Sequence, residues 1–157
     1  MNETRTEQGR VRRRSLGMSP LGIFGLAALG VPRVIAHDLD LVGPVGNALL
    51  VFVPIAVWLT VALWKRVPNA FLTLLVVGVV YGLLLAVTHQ VLWAEAFADD
   101  PPALGGNLTD VLAPSAEGIV LRVFAFFSSL VTGTVVGAVT GAVGWALSRL
   151  VPGFRLR

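Results

Sequence analysis

The chain has no cysteine and a single lysine, and only 13% of its residues are charged. Without cysteine there are no disulfides, no thiolate nucleophile and no Cys-ligated zinc or iron–sulfur site, and the redox compartment stays open. The scarcity of charge sets the chain apart from soluble domains, where about a quarter of residues are charged. HExxH, GxSxG, Walker A and GxGxxG runs are also missing. An enzyme reading therefore has no nucleophile, base or cofactor loop to name, and the expectation is a protein without catalysis. No cofactor is expected from motifs.

Hydrophobic residues fill the space that charge vacates, at 55% of 157 residues, with a mean hydropathy of +0.81. A bilayer is the solvent that suits such a composition. Eleven arginines against one lysine, with abundant Ala, Val, Leu and Gly, point to a GC-rich bacterial genome.

A pI near 10.6 invites a nucleic-acid reading, but the placement of charge argues for topology. Arg5, Arg10, Arg12, Arg13 and Arg14 precede the first apolar run, Lys65 and Arg66 part the second from the third, and Arg149, Arg155 and Arg157 follow the last. The acidic residues Asp38, Asp40, Glu95, Asp99, Asp100, Asp110 and Glu117 fall in or at the edges of the other two connections. Short Lys/Arg-rich loops stay cytoplasmic. The sequence thus predicts an all-α membrane protein, a four-helix transmembrane bundle with antiparallel neighbouring spans and both termini cytoplasmic. A bacterial inner membrane is the expected location, with no nucleic-acid partner.

Residues 1–17 read as a disordered basic cytoplasmic tail, 18–150 as the transmembrane domain and 151–157 as a second basic tail. The spans are expected at about 18–36, 45–64, 70–93 and 118–148, with an external loop over 94–117. Pro32 and Arg33 interrupt the outer end of the first span, and a cleaved signal peptide ending at Val34-Ile35-Ala36 competes with it. Pro54 lies at mid-depth in the second span and withholds a hydrogen bond from the Leu50 carbonyl. Trp64 and Trp93 suit the two interfaces. In the long loop, Leu108 to Leu112 is expected to dip toward the membrane as one helical turn. Ser115 is expected to cap the last helix, with Glu117 in its first turn.

The last span repeats a small residue every four positions: Ala125, Ser129, Gly133, Gly137 and Gly141. Such a ladder lets two helix backbones touch in lipid. The third span has its own, Gly78, Gly82 and Ala86, leading to His89 and Gln90. The economical expectation is that the two small faces pack together within one chain, bringing His89 and Gln90 near Arg122 to Phe126. The rival is an outward ladder that drives self-association.

A polar cluster is expected at the outer end: Arg33, Asp38, Asp40, Asn47, Gln90, Glu95 and Arg122, joined by Thr88. The two histidines, His37 and His89, fall in the same leaflet. They are candidate ligands for a divalent metal or a haem. Arg33 and Arg122 are candidates to clamp an anionic headgroup as a pair. A neutralised lid network is the plainer expectation. Asp38-Leu39-Asp40 resembles the acidic pair that large membrane glycosyltransferases place in their first external loop. That resemblance covers three residues, and the chain lacks the further spans and soluble domain such enzymes use, so no activity is carried over.

The function expected from sequence is a non-catalytic helix-packing subunit or self-associating scaffold. Its partners would be the bilayer and either a second copy or another membrane protein. An oligomeric pore or carrier is the alternative, and metal or haem binding through His37 and His89 the third reading.

Overall fold

The structure, a computed structural model, describes residues 16–109 and 111–151. Most of the two basic tails, up to residue 15 and from residue 152, and the acidic loop residue Asp110 lie outside the described residues. Within them, regular structure is helical throughout: α1 (Pro20–Ala28), α2 (Val31–Asp38), α3 (Pro44–Trp64), α4 (Ala70–Ala96), a 3-10 turn at Gly106–Leu108, and α5 (Pro114–Leu150). The apolar segment Pro20–Asp38, made of α1 and α2, joins α3, α4 and α5 as four segments long and apolar enough to cross a membrane.

The first of these segments is broken, as the interruption at Pro32 and Arg33 foreshadows, and the break falls just before Pro32, between Ala28 and Val31. Pro32 has no N–H for the Ala28 carbonyl, so the helix unwinds at Leu29 and Gly30. Their N–H groups turn three residues back, to Leu26 at 3.2 Å and Ala27 at 3.1 Å. Ser19 caps α1 by accepting the Gly22 N–H, with Pro20 at the first turn. At the far end Asp40 takes a left-handed conformation, φ 50°, which lets the Leu41 N–H reach back to the Ala36 carbonyl at 2.8 Å.

The short turn between α3 and α4 follows the same logic. Arg66 adopts φ 47°, the Val67 N–H returns to the Ala62 carbonyl at 3.2 Å, and the Asn69 side chain caps α4 by accepting the Leu72 N–H at 3.0 Å. At α5 the cap differs from expectation. The helix starts two residues earlier, with Pro114 in its first turn and Ala113 at the cap, so Ser115 is inside. Proline's fixed φ is already helical there and its missing N–H costs nothing.

The largest buried apolar cluster is built from α1 to α4 and the residues joining them. It includes Ile23, Leu26 and Ala27 of α1, Val34 of α2, Trp58 and Ala62 of α3, and Leu74, Val77, Tyr81 and Leu85 of α4. From α5 the half-buried Val136 packs against it. α5 joins the bundle by another route, along α4. A Cβ at Gly78 would stand 2.5 Å from the Gly133 carbonyl oxygen, one at Gly137 would stand 2.7 Å from the Gly78 Cα, and one at Gly141 would stand 2.8 Å from the Phe71 carbonyl oxygen. Gly82 and Gly133 are backbone to backbone. These spacings admit hydrogen only.

The buried stripe of α5 departs from a strict four-residue repeat. It runs Ser129, Gly133, Gly137, Thr140, Gly141 and Gly144, and Ala125 is half-buried. A four-residue step advances about 400° around a 3.6-residue helix, so the ladder swings past the contact line and residues three along take it over. Thr140 and Gly144 enter the seam by this drift.

Candidate functional site

Two polar groupings lie along α4 and its neighbours. The first is a rim. His89 Nδ1 lies 2.6 Å from Asp38 Oδ2, tying α4 to the end of α2, and the Asp38 side chain is only 7% exposed against 30% for His89. At the next residue, the Gln90 amide donates to the Arg122 carbonyl at 3.0 Å, and the Arg122 guanidinium donates back to Gln90 Oε1 at 3.4 Å. The same guanidinium lies 4.9 Å from the centre of the Trp93 ring, a cation–π arrangement. Trp93 in turn packs on Phe97 at 4.8 Å. Above this rim Glu117 accepts the Leu104 N–H at 2.5 Å, closing the long loop onto the start of α5. Leu108 and Val111 are exposed.

The predicted outer cluster is thus divided. Asp38 meets His89, and Gln90 meets Arg122, while Asp40 and Glu95 are exposed. Thr88 turns inward to its own helix and donates to the Leu84 carbonyl at 2.8 Å. The partner of His89 is Asp38, whereas His37 is exposed. No group of three His, Asp or Glu side chains gathers to hold a metal ion among the described residues. Arg33 and Arg122 do not act as a pair either, because Arg122 is engaged by Gln90 and Trp93 and Arg33 points elsewhere.

Arg33 belongs to the second grouping, a partly open pocket of about 180 Å³ walled by α2, α3, α4 and α5. Trp58 and Tyr81, both buried, and Gly30 at the break line it, with Pro54, while the exposed Thr132 of α5 stands at its edge. Each wall has a local cause. Gly30 lets the Tyr81 ring approach, since a Cβ there would stand 2.8 Å from Tyr81 Cδ2. Trp58 donates its indole N–H to the Leu26 carbonyl at 2.7 Å, a group left short of its usual partner by the unwinding, and stacks edge-on against Tyr81 at 5.6 Å. Pro54 releases the Leu50 carbonyl beside the same space.

Together with Tyr81, Arg33 lines this pocket. Its Nε is buried without a partner, as is Oδ1 of Asn47. By helical spacing Asn47 lies on the face of α3 that carries Leu50, Val51 and Pro54, one turn outward. Among the described residues the ion pair within 4.0 Å is Asp38 with His89, so Arg33 has no carboxylate beside it.

This pocket was not foreseen from sequence, although its signal is there. Two neighbouring apolar segments are each interrupted by proline or glycine, at Gly30-Val31-Pro32 and at Pro54. Interrupted hydrophobic segments are the best pointer to a site inside a membrane bundle. Comparison with protein-family models, with curated proteins and with solved structures found no match.

Proposed function

We propose that this chain is a non-catalytic, helix-packing subunit of a bacterial inner membrane: an antiparallel four-span bundle with both termini cytoplasmic, working in association with another membrane protein. The observation that carries the reading is the seam between α4 and α5. Gly78 and Gly82 are occupied by Gly133 and Gly137 of the same chain, so the small-residue face that would serve self-association is used internally. Opposite it, α5 presents Phe127, Val131, Val135, Val139 and Val143, all exposed, as the free face for lipid or a partner helix. The first span belongs to the working protein in this reading, because cleavage after Ala36 would remove the buried Ile23, Leu26, Ala27 and Val34.

Crosslinking in native membranes followed by mass spectrometry tests it. Crosslinks from α5 to a different membrane protein are expected. Crosslinks confined to a second copy of the chain, lost in Gly137→Leu while the monomer stays folded, would overturn it. The carrier alternative draws support from one observation, the pocket that holds Arg33. The metal or haem reading draws none, since no three His, Asp or Glu side chains gather among the described residues.

A further inference from the structure

We propose that the pocket at the break in the first span binds the anionic head of a bilayer lipid, with Arg33 as its counter-ion. This goes beyond the subunit reading and does not depend on it. A guanidinium inside a bilayer is costly unless paired, and intramembrane arginines mark ligand paths or ion partners. Arg33 retains a buried unpartnered Nε and, among the described residues, has no carboxylate within ion-pair distance. The missing element is an anion.

The surroundings favour an amphiphile over a small free anion. The wall beside the guanidinium is apolar: Leu50, Val51 and Ile55 of α3 and Val136 of α5. Arg33 sits five residues inside the end of α2 at Asp38, about 8 Å along the helix at 1.5 Å per residue. A lipid head drawn in from the outer surface reaches that depth while its chain stays in hydrocarbon. The pocket's 180 Å³ equals about six waters at roughly 30 Å³ each. That is room for head oxygens and a short stretch of chain, the rest lying along the cleft between α3 and α5. Asn47, three residues before Leu50 of the pocket wall, holds a buried amide oxygen without a partner. Its amide oxygen and nitrogen are exchangeable by rotation, so its buried end can turn an N–H toward the anion.

Native mass spectrometry and thermal unfolding of the full chain in neutral detergent decide the matter, with phosphatidylglycerol, phosphatidylcholine and inorganic phosphate as probes. Phosphatidylglycerol is expected to bind and to raise the unfolding temperature, at least about tenfold more tightly than phosphatidylcholine, as a charge-assisted contact predicts. Arg33→Gln should abolish that preference, and Arg33→Lys should restore part of it. Thr132→Trp, at an exposed position on the pocket's edge, should block binding with the charge intact, and it decides the question if Arg33→Gln fails to fold. Equal binding of the two lipids, or a preference unchanged in the variants, overturns the proposal. So does inorganic phosphate acting as well as phosphatidylglycerol, which would make this a free-anion site.

Discussion

The two sides of α4 are held by different means. Toward α5, Gly78 and Gly82 meet Gly133 and Gly137 with no side chain between the backbones. Toward α1, α2 and α3, Leu74, Val77, Tyr81 and Leu85 pack into an ordinary apolar cluster with Leu26, Val34 and Trp58. In lipid, burying an apolar side chain gains little, because the hydrocarbon it leaves is equally apolar. Association rests on close packing and interhelical hydrogen bonds. The first side uses close packing over five turns, from Phe71 with Gly141 to Gln90 with Arg122. The second lacks a small-residue seam, relies on hydrogen bonds from Trp58 and Thr73 to α1 and the residues before it, and leaves a pocket. The rigid side sets the frame and the looser side has the space for a ligand.

The sharpest way to break this contrast is to enlarge the seam. Gly137→Leu would drive a side chain against the Gly78 Cα and the Leu74 carbonyl, 2.7 and 2.9 Å from the Cβ position, and backbone cannot step aside as a rotamer can. A loss of roughly 3 kcal/mol or more is expected, at the upper end of overpacking costs. It is read as absence of folded protein after detergent extraction, and normal yield with normal unfolding temperature would refute the seam.

On the looser side the expected effect is smaller. Trp58→Phe keeps the ring in the cluster but removes the N–H that serves the Leu26 carbonyl. Interhelical hydrogen bonds in membranes average about 0.6 and reach about 1.7 kcal/mol. The upper part of that range applies here, because the break in the first span leaves that carbonyl with only the Leu29 N–H at 3.2 Å. Equilibrium unfolding in mixed micelles measures it, and a change below about 0.3 kcal/mol would show that the carbonyl finds another donor, such as a water.

The rim should respond less again. His89→Gln exchanges the 2.6 Å partner of Asp38 for a neutral donor at a position that is 30% exposed, so the buried carboxylate is not left bare. Pairs screened in this way contribute about 1 kcal/mol or less. The informative readout is local: hydrogen exchange of the amides at the end of α2 should rise in the variant, with the seam amides of α4 unchanged.

The seam was legible in sequence because a small residue every four positions has few other uses in an apolar helix, and Gln90 with Arg122 follow from its register. The drift that brings in Thr140 and Gly144 follows from helix geometry but does not stand out as a motif. The rim was legible as a depth, since Asp38, His89, Gln90 and Arg122 crowd one end, but its pairing was not. Whether His89 faces His37 or Asp38 depends on the rotation of α2 about its axis, and the break at Leu29 and Gly30 resets that rotation. The pocket was the least legible. Pro32, Pro54 and Gly30 each read as a local interruption, and only the packing of α2 on α4 turns Arg33 inward to Tyr81 and away from the acidic loop.

The smallest expected effect tests whether glycine matters by position or merely by abundance. Seventeen glycines occur in the chain. Gly118, in the first turns of α5, has nothing within 4 Å of a Cβ position, unlike Gly133 or Gly137 in the same helix. Its backbone is helical, so Gly118→Ala removes only the unfolded chain's extra freedom and should stabilise by about 0.5 to 1 kcal/mol. The same substitution at Gly133 places a methyl on the Gly82 backbone and should destabilise. Opposite signs in a paired unfolding measurement are the expected result. Equal effects would mean that the last helix is tuned for flexibility along its whole length and that the seam with α4 is incidental.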